Sequence, residues 1–129
     1  MTPHDCPCHS GKAFTRCCGP FLSGKDNPRT VTQLMRSRYC AFALGGCGQY
    51  LFDTWHPAHR GALQPEDLDA RELEWLHLSV VDAQQTGDRG TVEFIARFRD
   101  AQGTEGQHHE RSRFLREQGR WRYLDGDVR

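Results

Sequence analysis

Four of the six cysteines, Cys6, Cys8, Cys17 and Cys18, fall within thirteen residues as a C-x-C pair, an eight-residue spacer and a C-C pair. Thiols at that density either oxidise to disulfides or hold a soft metal ion. Residues 1–20 lack the basic, apolar and small-residue succession of a secretory signal. A reducing, cytoplasmic setting is therefore expected, and it favours metal binding over a disulfide pair or free thiols in an unstructured tail. Zinc suits the set: four thiolates complete its tetrahedral shell and fix a segment too short to own a core. With no position left for water, the expected zinc is structural, one per chain. Cys17 and Cys18 are adjacent, so both reach one metal only where the chain bends sharply, and Gly19-Pro20 fits such a bend. The imidazoles of His4 and His9 are also zinc-competent but are read as bystanders.

The run Cys6-Pro7-Cys8-His9-Ser10-Gly11-Lys12, continued through Cys17-Cys18-Gly19, resembles the SEC-C zinc motif known from the C-terminal tail of the SecA translocation motor. The usual motif has glycine where this chain has His9. A positive φ at that position would carry a modest penalty for His9. The resemblance implies an interaction module that contacts a protein or ribonucleoprotein partner, with Lys12, Phe14 and Arg16 as the residues presented. Outside the cluster, Cys40 falls in an apolar helical stretch and reads as a small buried hydrophobe, whereas Cys47 follows Gly45-Gly46 and reads as more exposed.

The elements that must position these residues follow from periodicity. Residues 1–20 form the motif, 21–29 are rich in turn formers and read as a linker, and 30–129 form the main domain. Thr30 is an N-cap with Gln33 three residues on, and Val31, Leu34, Met35, Tyr39, Phe42 and Ala43 recur at helical spacing, predicting a helix over 30–44. A shorter helix is expected over 48–55, stopped by Pro57, and one helical turn at Pro65–Leu68. From Glu74 the period changes to two. Strands are predicted at 75–83, 91–99, 105–116 and 121–124, a meander following the helices and hence an α+β arrangement.

Leu34-Met35-Arg36-Ser37-Arg38-Tyr39, Thr54-Trp55-His56-Pro57, Gly90-Thr91-Val92-Glu93-Phe94, and His109-Glu110-Arg111-Ser112-Arg113-Phe114 followed by Gly119-Arg120-Trp121 resemble the YchJ family. The resemblance runs from about Cys6 to Gly126. It implies a nuclear-transport-factor-2-like (NTF2-like) cone, with helices packed on a curved antiparallel sheet behind a small zinc knuckle. No activity transfers with it.

Such a cone encloses a cavity, and its expected lining is Tyr39, Trp55, His56, Glu110, Ser112, Trp121 and Tyr123. A carboxylate among aromatic rings is a proton-transfer group unless it is paired, and Arg36 or Arg38 is the expected partner for Glu110. His56, at a helix end, is expected to cap carbonyls, and Asp53 to be solvated. His108 and His109 fall on opposite strand faces and make no second metal site. No phosphate-cradling glycine loop or nucleophile elbow is present.

Composition bounds the partners. Of 129 residues 36% are hydrophobic, the seventeen basic and seventeen acidic side chains cancel, and the mean hydropathy is −0.76. Membrane, fibrous and disordered classes are excluded, and so is a bulk field that would draw the protein to DNA. Charge is uneven: residues 1–48 hold six basic and two acidic side chains, and Arg111, Arg113, Arg116, Arg120 and Arg122 crowd the last hairpin. That hairpin is either a solvated face or a surface for an acidic partner. The leading expectation is a zinc-binding adaptor for a protein or ribonucleoprotein; the alternative is a small-molecule binder or enzyme using the cone.

Overall fold

The computed structural model describes residues 5–129; His4, weighed above as a ligand, lies outside them. After a turn of 3-10 helix at Phe14–Arg16 come α1 (Gly19–Leu22), α2 (Val31–Leu44), α3 (Gly48–Asp53) and a second 3-10 turn at Pro65–Leu68. The strands β1 (Glu74–Thr86), β2 (Arg89–Arg99), β3 (Glu105–Glu117) and β4 (Arg120–Val128) follow. The strands pair antiparallel in the order β1-β2-β3-β4. No helix among the described residues is long and apolar enough to cross a membrane.

The α2 helix is the spine of the molecule. Thr30 caps it, its side chain accepting from the Gln33 N–H at 3.1 Å, while the Gln33 side-chain carbonyl oxygen accepts from the Arg29 N–H at 2.7 Å. The cap therefore satisfies donors that the helix itself leaves open. Gly45, at φ 74°, closes its other end. Val31, Leu34 and Met35 bury against Leu78, Val92, Ala96, Phe114 and Trp121 of the sheet. Gly90 is required where β2 passes under α2, since a Cβ there would collide with Val31.

Register shifts at Trp75/His77 and Val80/Asp82 on β1 and at Arg113/Phe114 between β3 and β4 bend the sheet around this helix. The α3 end is stitched to β4: Trp55 bridges Tyr123, the Tyr123 N–H donates to the Thr54 carbonyl at 2.7 Å, and the His56 N–H donates to the Tyr123 carbonyl at 2.8 Å.

Several expected boundaries move: the first strand runs to Thr86 and the second starts at Arg89, and α1 takes in the first two residues of the expected linker. The second helix ends at Asp53, because Thr54 and Trp55 leave it to pair with β4. The last strand runs to Val128 despite the turn-forming Asp125-Gly126-Asp127. Arg113 holds both aspartates, at 2.6 Å and 2.7 Å, and Gly126 lies where any Cβ would strike the Glu110 carboxylate. Cross-strand contacts outweigh local turn propensity here.

Candidate functional site

The knuckle is a tight hairpin followed by a helical turn. Cys6 donates its N–H to the Lys12 carbonyl at 2.9 Å, and the His9 N–H returns to the Cys6 carbonyl at 3.1 Å. This turn puts His9 at φ 64° and Gly11 at φ 85°. His9 thus occupies the left-handed region that glycine fills at low cost, and its ring rests against His77 at 4.8 Å and Tyr39 at 6.4 Å. The 3-10 turn at Phe14–Arg16 delivers Cys17, whose φ of −129° and ψ of −102° swing the chain so that Cys18 can start α1. Adjacent cysteines consequently point into one site.

The Sγ atoms of Cys6, Cys8, Cys17 and Cys18 all lie within 4.8 Å of one another. Cys8 and Cys17 are 3.6 Å apart, and Cys17 and Cys18 3.9 Å. A tetrahedral zinc tetrathiolate with bonds of ~2.3 Å needs sulfur–sulfur edges of about 3.8 Å, so the donor set fits such an ion. Cys6 and Cys8 are wholly buried and Cys18 nearly so; no disulfide joins the described cysteines.

The four thiols differ in how readily they ionise. The Cys8 thiol is pulled far below the ordinary cysteine value, first by Cys18 and then by Cys40 and Cys6. Cys18 is pushed far above it, first by Cys40, then Cys6 and Cys8. Cys6 is lowered as well, to about 6, first by Cys18, whereas Cys18 and, through burial, Cys17 resist ionising. A bound divalent ion removes that resistance and lets four thiolates coexist.

The knuckle is not held by its linker alone. Cys6, Cys8 and Cys18 pack in the same core as Leu34, Met35 and Tyr39. Arg36 donates to the Cys8 carbonyl at 2.7 Å, and the Cys40 Sγ lies 3.4 Å from that of Cys6. Sequence reasoning treated Cys40 as inert filler. Its apolar helical setting carries no local signal of that contact. Of the residues expected to be presented, Lys12 and Arg16 are exposed, while the Phe14 ring packs on Gly19 and the core edge. Beside them lies a depression of about 340 Å³ lined in part by Lys12, Arg16, Cys17, Cys18, Asp26 and Arg36.

On the opposite side of α2, the concave sheet face opens as a cavity of about 450 Å³. Tyr39, Trp55, Glu110, Ser112 and Tyr123 line it, together with Trp75, Phe94, Phe98, His108 and Arg38. His56 and Trp121 do not. The His56 Nε2 meets Glu117 Oε1 at 2.5 Å, and its Nδ1 accepts from the Ala58 N–H at 3.1 Å, so it caps an N–H and no carbonyl. Trp121 is buried in the core with Nε1 donating to the Arg29 carbonyl at 3.2 Å.

The expected pairing of Glu110 with Arg36 or Arg38 is also corrected. Arg36 serves the knuckle. Arg38, buried beneath the cavity, donates to the Leu51 carbonyl at 2.8 Å and to Thr54 Oγ1 at 2.7 Å. Its guanidinium stands 4.8 Å from the Tyr123 ring centre, and burial pulls its pKa down to about 10. Glu110 takes neutral or histidine donors instead: Ser112 Oγ at 2.6 Å, Tyr123 OH at 3.0 Å and His108 Nε2 at 2.9 Å. With both oxygens engaged, the carboxylate organises the cavity floor and is poorly placed to accept a substrate proton. Burial, then the Glu110 charge, holds Tyr123 above the usual phenol range. Tyr39, only 5% exposed, has no hydrogen-bond partner for its hydroxyl among the described residues.

The arginine-rich hairpin is largely neutralised. Arg111 pairs with Glu93 and Asp82, Arg113 with Asp125 and Asp127, and Arg116 with Asp88. These three positions form an internally matched face; no ion pair among the described residues involves Arg120 or Arg122.

A curved antiparallel sheet against a spine helix, with a four-cysteine knuckle locked to that helix, defines an NTF2-like α+β protein with an N-terminal metal-competent motif. A family described as "YchJ, middle NTF2-like domain" matches residues 30–126, and the chain belongs to that family. It is 45% identical over 126 residues to the UPF0225 protein SG1365 of Sodalis glossinidius, covering 94% of this chain and 81% of that one. It is 44% identical over 133 residues to the UPF0225 protein RSc0270 of Ralstonia nicotianae, covering 95% and 90%. The solution structure of RPA3114, a SEC-C motif containing protein from Rhodopseudomonas palustris, superposes with a TM-score of 0.85 at 41% identity, covering 94% of this chain and 95% of that one.

Proposed function

We propose that the protein is a zinc-binding adaptor: one structural zinc orders the knuckle, and the cationic ground beside it engages an acidic surface of a protein or ribonucleoprotein partner. The observation that carries this reading is the placement of four thiols within 4.8 Å of one another beside the exposed side chains of Lys12 and Arg16. Zinc is favoured because its filled shell has no geometric preference of its own and accepts four thiolates, although iron is also at home among them. Resemblance to a SEC-C motif containing protein supports the metal reading. Native mass spectrometry of protein purified without added metal, before and after a mild acid wash, tests it. One zinc per chain, lost with acid, is expected; iron, or no metal, would overturn the zinc assignment. Lys12→Ala with Arg16→Ala should then abolish partner capture while metal content stays at one per chain.

A second reading is supported by the cavity of about 450 Å³, a volume within the range of small-molecule sites. Its walls are mostly aromatic, and Ser112, Tyr123 and His108 converge on Glu110, so an uncharged, flat, apolar compound would suit it. The mass spectrum also tests this reading, because a retained compound adds its own mass to the folded chain.

A further inference from the structure

The metal cluster has more sulfur than it needs. The Cys40 Sγ lies 3.4 Å from that of Cys6, so a fifth, buried thiol touches one of the four donors. Cys17 touches two other donors, at 3.6 Å from Cys8 and 3.9 Å from Cys18. No hydrogen bond joins Cys17 to Cys40 among the described residues. Cys17 and Cys40 thus approach the trio Cys6, Cys8 and Cys18 through different members, Cys17 at Cys8 and Cys18 and Cys40 at Cys6.

Those two thiols differ in how they are held. Cys17 is partly exposed, sits at the end of a three-residue helical turn, and its sulfur has Ser10 Oγ at 3.1 Å as a competing partner. Cys40 is 0% exposed and projects from the fourteen-residue α2, the most firmly packed helix of the fold. The outer donor is the one that solvent or a reagent reaches, and the inner one is already in place.

We propose that Cys40 is a fifth, reserve donor of the metal site, which replaces Cys17 in the shell and keeps four thiolates on the metal when the outer donor leaves. The inference rests on the metal-binding reading above. The exchange balances without an oxidant or reductant. Cys40 gives up its S–H proton as its sulfur–metal bond forms, and Cys17 takes up a proton as its own bond breaks. The charge of the shell and the oxidation state of the metal are unchanged. The exchange would free the Phe14–Arg16 turn and its flanking Lys12 while the trio and α2 stay joined.

The test uses the full chain with Cys47→Ser, which removes the other partly exposed thiol, and compares it with added Cys17→Ser, added Cys40→Ser and both. Each is measured for zinc content and, after cobalt substitution, for the sulfur-to-cobalt charge-transfer bands that report how many thiolates bind. Both single additions are expected to keep one metal per chain and a four-sulfur spectrum. Removing both is expected to weaken metal binding by about 100-fold or more, at or beyond the loss typical of removing a supporting partner. A three-sulfur spectrum or metal loss in the Cys17→Ser chain would overturn the proposal. A second measurement needs no unfolding-prone variant: the zinc-loaded Cys47→Ser protein is treated with one equivalent of an alkylating reagent and the tag is located by mass spectrometry. Zinc retained on chains tagged at Cys17 supports the proposal, and zinc released with that tag overturns it. A Cys47→Ser protein that binds no metal at all would instead count against the metal-binding reading itself.

Discussion

The Arg36 guanidinium donates to the Cys8 carbonyl at 2.7 Å, which joins the metal-competent hairpin to the spine helix through a charged hydrogen bond on the chain segment that carries a ligand. Outer partners of this kind orient metal ligands and are worth about 10–100-fold in affinity. Arg36→Met should therefore speed metal transfer to a chelator by that order and cost about 1.5–3 kcal/mol of stability. A chelator-competition time course beside a thermal melt checks it; unchanged release would show that the contact does not tune the site.

Metal removal should affect the whole domain. Cys6, Cys8 and Cys18 share a core with Leu34, Met35 and Val92, so loosening the knuckle exposes one side of α2. The acid-washed protein is expected to keep its sheet signal in circular dichroism but to melt roughly 10 °C lower, as a loss of a few kcal/mol does in a domain of this size. An unchanged melting temperature would mean that the knuckle folds independently of the rest.

Gly126 and Glu110 form a tight pair on adjacent strands, with no room for a Cβ. Gly126→Ala should cost about 1–3 kcal/mol by overpacking and push the carboxylate off Ser112 and Tyr123. Urea unfolding of Gly126→Ala, Glu110→Gln and the double variant checks the coupling. Strict additivity would show that the two residues do not act through one another.

The cavity predicts an optical signal. Trp55 and Trp75 line it and Trp121 does not. An uncharged aromatic dye should quench tryptophan emission, and Trp75→Phe with Trp55→Phe should abolish the quenching while Trp121 fluorescence persists. Quenching that survives in that double variant would place the dye elsewhere.

Much of this was legible in the residues. The C-x-C and C-C spacing gave the cluster, the helical recurrence of Val31, Leu34 and Met35 gave the spine, and the alternation along Val92, Phe94, Ala96 and Phe98 gave the concave face. What escaped depended on distant partners. Arg38 looked like a mate for Glu110 because both are charged and face the cone, yet its hydrogen bonds go to the Leu51 carbonyl and the Thr54 hydroxyl. Asp125-Gly126-Asp127 has the composition of a turn, and only Arg113 and the Glu110 carboxylate make it a strand. Cys40 lies in an apolar helical context that gives no hint of thiols 34 residues earlier. Propensity and periodicity report on neighbours in sequence, and each of these three features is fixed by neighbours in space.

The order of the chain has a consequence for how the molecule comes into being. Cys6, Cys8, Cys17 and Cys18 all precede α2, and the sheet that covers α2 begins only at Glu74. During synthesis, which proceeds from the N-terminus, the four thiols leave the ribosome before any strand exists to pack against. Their mutual contacts span at most a dozen positions, so closing them costs little chain entropy. Ion capture can thus be the first committed event of folding, giving α2 a finished surface to dock on while the strands are still being translated.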